Sequence, residues 1–196
     1  MTTKQFHRAL AAGALTLTLA LAGCGVSSTT AGGMPGMPGA SSASSEANAA
    51  DQMFLMMMIP HHEQAIEMSD VVLAKGDIDP RVLDLAQRIK DAQGPEIEQM
   101  EAWLDDWGMG HGGMGGMEHG DGMMSEDDMR ALEDASGADA SRLYLQQMIE
   151  HHEGAVEMAE DAVEDGQHPD VIALAQQMAD AQTAEIAEME QLLTEL

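Results

Sequence analysis

One segment of this chain occurs twice. Residues 58–68 read MIPHHEQAIEM and residues 148–158 read MIEHHEGAVEM, so both histidines and both flanking methionines are kept. The likeness extends over residues 54–107 and 144–196. Because a duplicated unit packs most simply against its own copy, the chain is predicted to build one domain from two similar halves.

Each copy has the spacing of two helices. Apolar residues recur at intervals of three and four, strand-like alternation is absent, and Gly76 or Gly166 interrupts the pattern midway. Pro80 and Pro169 then restart it at the first helical position, where proline is tolerated. The predicted fold is therefore an all-α antiparallel four-helix bundle made of two duplicated hairpins.

Composition divides the chain into five segments. Residues 1–23 join basic residues to an apolar run too short to span a bilayer, which is typical of a signal peptide. This run ends in LAGC, which resembles a bacterial lipobox, so Cys24 is the predicted lipidation site. The other four segments are a disordered Ser/Gly/Ala-rich tether (24–50), the first hairpin repeat (51–107), a Gly/Met/His-rich connector (108–138) and the second hairpin repeat (139–196), with 51–196 forming one domain.

The charge and the sulfur content limit the function classes. The net charge of −27 repels nucleic acid and attracts cations without choosing among them. The single cysteine excludes disulfides within the chain. The 19 methionines stand against five aromatic residues, which is an unusual way to fill a core unless the sulfur has a second use.

The repeated motif places imidazole on a buried helical face. On a helical wheel, His61 and His62 flank the centre of the apolar stripe, whereas Glu63 and Glu67 fall on the solvent side. The second copy follows the same pattern. Thioether and imidazole together suit a soft ion, above all Cu(I). The predicted metal ligands are Met58, His61, His62, Met68, Met100, Met148, His151, His152, Met158 and Met189.

The partner helix of each hairpin carries polar residues on its predicted core face. These residues are Gln93 and Glu96 in the first copy and Gln182 and Glu185 in the second. A buried carboxylate needs a partner, and an imidazole N–H is the available one. In a metal site such a hydrogen bond orients the ligand ring, so these four residues are predicted to support the ligands.

The connector is a second candidate metal-binding region. Between residues 108 and 124 it contains only Gly, Met, His, Glu and Asp, so every side chain in it can coordinate a cation. The auxiliary ligands predicted there are Met109, His111, Met114, Met117, His119, Met123 and Met124. A flexible linker of biased composition is the alternative interpretation.

The repeat also carries a family resemblance. The string FLMMMIPHH at residues 54–62, with the pattern over 85–100, resembles the bacterial domain-of-unknown-function family 305 across residues 51–196. The resemblance implies a ferritin-like fold, export from the cytoplasm and, as for some members, binding of copper or silver. The second copy departs from the motif, with Glu150 in place of proline and Gly154 in place of glutamine.

The leading hypothesis is a non-enzymatic metal-binding protein that sequesters or transfers Cu(I), or Ag(I) by the same chemistry. Lipid on Cys24 would hold it at the outer face of the cytoplasmic membrane. One alternative is a metal-independent structural or pH-sensing module, in which the histidines would respond to pH at about 6. A ferritin-like di-iron oxidoreductase is the third hypothesis, but no histidine follows a glutamate by three residues, as Glu-x-x-His requires.

Overall fold

The computed structural model describes residues 46–109 and 122–196, and within these ranges the chain is helical without strands. The predicted signal peptide, Cys24 and connector residues 110–121 lie outside the described residues. The helices are α1 (Ala49–Leu73), α2 (Pro80–Asp106), α3 (Glu126–Asp134), α4 (Gly137–Asp165) and α5 (Pro169–Glu195). The all-α prediction is confirmed, and the four long helices are the two expected hairpins.

Local signals explain where the long helices begin. Asn48 and Asp51 form a capping box at the start of α1, since each side chain accepts the backbone N–H of the other. The helix consequently begins inside the segment that composition assigns to the tether, and it continues through Pro60. Helices α2 and α5 start at Pro80 and Pro169, as the sequence predicts.

The segment between the repeats is more ordered at its end than its composition indicates. Ser125 and Asp128 form a second capping box that starts the short helix α3, and Leu132 of this helix is fully buried. Helix α4 begins at Gly137, also within the segment 108–138. The connector prediction therefore extends too far, because the biased composition ends at Met124 and a folded helix follows it.

The bundle has an apolar core in two parts. Helix α1 packs against α2 and α4, α4 packs against α5, and α3 lies on α1 and α4. One cluster, the Tyr144 cluster, joins the C-terminal half of α1 to the N-terminal half of α4. The other, the Phe54 cluster, joins the N-terminal half of α1 to the C-terminal half of α4. This arrangement makes α1 and α4 antiparallel and leaves the middle of the bundle to the histidines. In the described part of the chain, no helix is both long and apolar enough to span a bilayer.

Candidate metal centre

A layer of histidines separates the two apolar clusters. His62, His151 and His152 are fully buried and His61 is 1% exposed. Helices α1 and α4 each place an adjacent pair in the layer, because the apolar stripe of each helix passes between the two rings. As the wheel predicts, Glu63 and Glu67 are exposed. Four imidazoles in the centre of a bundle are a costly choice unless their polar atoms are used.

One histidine of each pair is bound to a carboxylate of the partner helix. Nε2 of His62 lies 2.9 Å from Oε2 of Glu96, and Nε2 of His152 lies 2.8 Å from Oε2 of Glu185. These are the imidazole–carboxylate pairs expected from the sequence. An ionised carboxylate only accepts hydrogen bonds, so Nε2 is the donor in each of these contacts. In a neutral ring that donates from Nε2, the lone pair lies on Nδ1.

The other ring nitrogen, Nδ1, lacks a described hydrogen-bond partner in both carboxylate-bound histidines. For both His62 and His152, Nδ1 is buried and has no hydrogen-bond partner among the residues that the structure describes. The side-chain oxygens of Gln93 and Gln182 are in the same condition. Buried polar atoms without partners are rare in folded proteins, and they mark a site that water or an ion completes.

The other two histidines meet between α1 and α4. The ring centroids of His61 and His151 are 3.7 Å apart, and the rings are tilted by 39°. Burial lowers the pKa of His151 well below its ordinary value, and the rings of His61, His152 and His62 lower it further. His151 is therefore neutral at physiological pH, which is the form of imidazole that binds metals.

The predicted methionine ligands fall on both sides of the histidine layer. Three belong to the Tyr144 cluster, namely Met68, Met148 and Met189. Met58 and Met100 belong to the Phe54 cluster, and Met158 is partly buried against it. The duplication thus places thioethers above and below the imidazoles rather than in one group.

The donor set has a consequence for the choice of metal. Within residues 46–109 and 122–196, no three His, Cys, Asp or Glu side chains are positioned to hold one ion together. The donors that the histidine layer and the two flanking clusters offer are imidazole nitrogen and thioether sulfur, a combination that suits a soft ion.

The connector is fastened beside the histidines by a contact that the sequence did not reveal. The side-chain amide of Gln64 donates to the carbonyl of Met124 (2.9 Å) and accepts from its backbone N–H (2.7 Å). Met124 is 4% exposed and belongs to the Tyr144 cluster. Met109, at the other end of the connector, packs against the Phe54 cluster. Of the remaining auxiliary candidates, Met123 is half-buried, and His111, Met114, Met117 and His119 lie outside the described residues.

A glycine pair completes this attachment. Gly122 has a φ of 84°, and a Cβ there would lie 2.7 Å from the carbonyl oxygen of Glu150 and 3.0 Å from Cα of Gly154. Gly122 can therefore approach α4 this closely only because it lacks a side chain. Its neighbour on α4 is Gly154, the residue that stands where the first copy has Gln64.

A buried carboxylate at one end of the bundle is a further residue that the sequence did not single out. Asp51 is fully buried and accepts the backbone N–H groups of Gln167 and His168 at 3.0 to 3.2 Å. It ties the start of α1 to the turn between α4 and α5. Its counterpart in the second copy is Ser141, whose hydroxyl accepts the N–H of Asp79 at 3.2 Å.

The chain is similar to several solved structures. A DUF305 protein of Streptomyces coelicolor, described as secreted, is 36% identical with a TM-score of 0.70, and the match covers 74% of this chain and 93% of that one. A DUF305 fragment from Deinococcus radiodurans is 34% identical with a TM-score of 0.71, covering 76% and 99%. Among curated proteins, none matches the chain.

A third relative has been solved with metal. CopM in the Cu(I)-bound form is 32% identical to this chain with a TM-score of 0.64, and the match covers 74% of this chain and 96% of CopM. CopM has also been solved in Cu(II)-bound and Ag-bound forms. The sequence model of the family described as "Domain of unknown function (DUF305)" matches residues 51–193. The helical bundle, the repeated histidine motif and these matches together place the chain in the DUF305 family.

Proposed function

We propose that this protein is a non-enzymatic carrier that sequesters or transfers Cu(I), and Ag(I) by the same chemistry, outside the cytoplasm. The nitrogen ligands are His61, His62, His151 and His152. The sulfur ligands are Met58, Met68, Met100, Met148, Met158 and Met189. Glu96 and Glu185 orient His62 and His152, and Gln93 and Gln182 are the further supporting residues. The methionines and histidines of the connector add weaker capture.

The observation that carries this proposal is the pair of buried Nδ1 atoms on His62 and His152 that lack hydrogen-bond partners among the described residues. Each ring is already held through Nε2 by a carboxylate. In metal proteins this is how a ligand imidazole is prepared, because the carboxylate fixes the tautomer and raises the basicity of the opposite nitrogen.

The choice of a soft ion follows from the rest of the layer. Thioethers lie on both sides of the imidazoles, and thioether sulfur binds Cu(I) well but Zn and Mg poorly. Methionine also needs no deprotonation and suits a compartment where thiols oxidise. CopM, which is 30–32% identical to this chain, has been solved in Cu(I)-bound and Ag-bound forms. These forms support the choice of a soft ion for this chain.

The proposed location is the outer face of the cytoplasmic membrane. The lipobox-like LAGC string supports lipidation of Cys24. The description of the Streptomyces coelicolor relative as secreted supports export. A protein held there would meet metal ions before they reach the membrane.

The direct test is a Cu(I) titration of the full-length chain carrying Cys24→Ala, so that no thiol competes for the ion. Calorimetry and native mass spectrometry should show binding tighter than about 1 µM. Replacing all four layer histidines by glutamine should remove the Cu(I) bound at the layer and so lower the number of ions bound per chain, because glutamine keeps a donor for Glu96 and Glu185 but has no ligand nitrogen.

Two variants keep this test decisive. Glu63→Gln is the matched control, since this carboxylate lies in the same motif on the exposed side, and it should bind Cu(I) normally. The double variant Met58→Leu and Met148→Leu preserves volume, so it should fold while binding Cu(I) at least about tenfold more weakly. Unchanged Cu(I) binding in the variant with glutamine at all four layer histidines would contradict the proposal.

The alternative of a pH-sensing module has one observation in its favour, the imidazole–carboxylate pairs themselves. Against it, burial lowers the pKa of His151 well below its ordinary value, which disfavours protonation of that ring. Metal-independent capture of a partner by the glutamine variant would favour the alternative. For a di-iron oxidoreductase, the described residues offer no carboxylate cluster.

A further inference from the structure

Both tryptophans of the chain surround one histidine that the central layer does not include. The ring centroid of His168 lies 6.2 Å from that of Trp103 and 5.5 Å from that of Trp107, at interplanar angles of 49° and 54°. The two indoles are half-buried at the end of α2 and pack on the Phe54 cluster. His168 thus lies beside both indole rings at one end of the bundle.

His168 occupies a capping position without acting as a cap. It is the N-cap residue of α5, but its side chain makes no capping hydrogen bond. Its Nδ1 is buried and has no hydrogen-bond partner in the described part of the protein. A buried ring nitrogen without a hydrogen-bond partner is rare in folded proteins, so its position requires another explanation.

The duplication provides an internal control for this arrangement. The first copy has Asp79 at the equivalent position, and that carboxylate caps α2 by accepting the N–H of Arg81 at 2.9 Å. Where the first copy has Trp103 and Trp107, the second has Leu192 and Leu196. The histidine and both indoles therefore occur together at one end of the bundle and are replaced together at the other.

The local electrostatics admit a cation at this place. The N-terminus of α5 carries partial positive charge, but the buried carboxylate of Asp51 accepts the N–H groups of Gln167 and His168 and offsets it. The opposite, negative end of α2 terminates at Trp107. A positive ion beside the indoles would therefore meet little repulsion from the N-terminus of α5. It would be attracted by the partial negative charge at the C-terminus of α2.

We propose that His168, Trp103 and Trp107 form a second soft-cation site, separate from the histidine layer. Nδ1 of His168 supplies the nitrogen ligand for Cu(I) or Ag(I), and the indole faces stabilise the ion by cation–π attraction, which is strongest for tryptophan. The thioether of Met109 packs on the same cluster and is available as a sulfur donor. The site needs none of the four layer histidines.

The test uses tryptophan emission, because the chain has only these two tryptophans. Full-length Cys24→Ala protein is titrated with Ag(I) in nitrate buffer, which requires no reductant. The emission should change with saturation in this protein and also in the variant with glutamine at all four layer histidines. In His168→Asp, which copies the first repeat and restores a capping side chain, the emission response should need at least about tenfold more Ag(I).

The outcomes separate this site from the proposed central one. Calorimetric binding at the layer should persist in His168→Asp, so loss of the central site alone would leave this proposal intact. If the layer variant does not fold by circular dichroism, the Met58→Leu and Met148→Leu variant replaces it. An unchanged emission response in His168→Asp, or a response that vanishes with the layer ligands alone, would overturn the proposal.

Discussion

The two repeats keep the same histidine layer but differ beside it. The imidazole–carboxylate distances are 2.9 Å in the first copy and 2.8 Å in the second. Two residues beyond His62, however, Gln64 holds the connector, whereas the equivalent Gly154 makes room for it. Residues 122–124 contact the bundle at these two positions, so the differences at Gln64 and Gly154 accompany that contact, and all four layer histidines are kept.

The ends of the bundle differ in the same way. Asp51 binds the turn after α4 through a buried carboxylate, and Ser141 binds the turn after α1 through one hydroxyl. Charge-assisted hydrogen bonds are about twice as strong as neutral ones. The Asp51 end should therefore be the more firmly closed of the two.

The largest expected effect tests the two ends. Asp51→Ala should lower the free energy of unfolding by about 3 kcal/mol, because it removes a buried carboxylate and leaves the backbone N–H groups of Gln167 and His168 without their acceptor. Ser141→Ala is the matched change and should cost about 1 kcal/mol. Urea unfolding of the metal-free variants measures both, and equal losses would show that the ends are equivalent.

Next comes the crossing of the connector over α4. Gly122→Ala should destabilise the fold by about 2 kcal/mol, since the residue combines a positive φ with a backbone atom 2.7 Å from the added carbon. Gly76 lies in the turn between α1 and α2 with open space around it. Gly76→Ala should therefore stay within about 0.5 kcal/mol of the parent, and a similar result for Gly122→Ala would contradict the close approach.

The third prediction asks whether the two halves of the layer are equivalent. Glu96→Gln and Glu185→Gln should each weaken Cu(I) binding about tenfold, because each carboxylate orients one ligand ring. The losses should be equal, and titration of the two variants in parallel measures them. A loss confined to one variant would mean that the attached connector makes one half dominant.

The smallest expected effect belongs to the connector attachment. Gln64→Ala should lower the free energy of unfolding by about 1 kcal/mol and expose the backbone N–H of Met124 to hydrogen exchange. Gln99→Ala removes an exposed glutamine from α2 and should change neither quantity. Retained protection of the Met124 amide would show that the connector is held by other contacts.

The sequence predicts most of the helices and the polar layer because both are periodic. A helical wheel is enough to bring His62 to the core face and Glu96 to its partner face. Helix α3 was missed although Ser125 and Asp128 carry a capping signature, because the acidic segment has only a short apolar stripe.

Other features could not be read from the pattern. Gln64 binds a backbone far away in sequence, and neither Gly122 nor Gly154 indicates by itself which surface it must approach. The pairing of His168 with the indoles likewise depends on how the hairpins are arranged, so periodicity within one helix carries no information about it. Contacts between the hairpins therefore cannot be predicted from the periodicity of the sequence.

The contacting rings of His61 and His151 come from different hairpins, so the centre of the layer is built by both hairpins. A metal ion bound by both rings would link α1 to α4. The free energy of loading would then add directly to the cohesion of the two halves. In such a protein, release of the ion would be coupled to weaker association of α1 with α4.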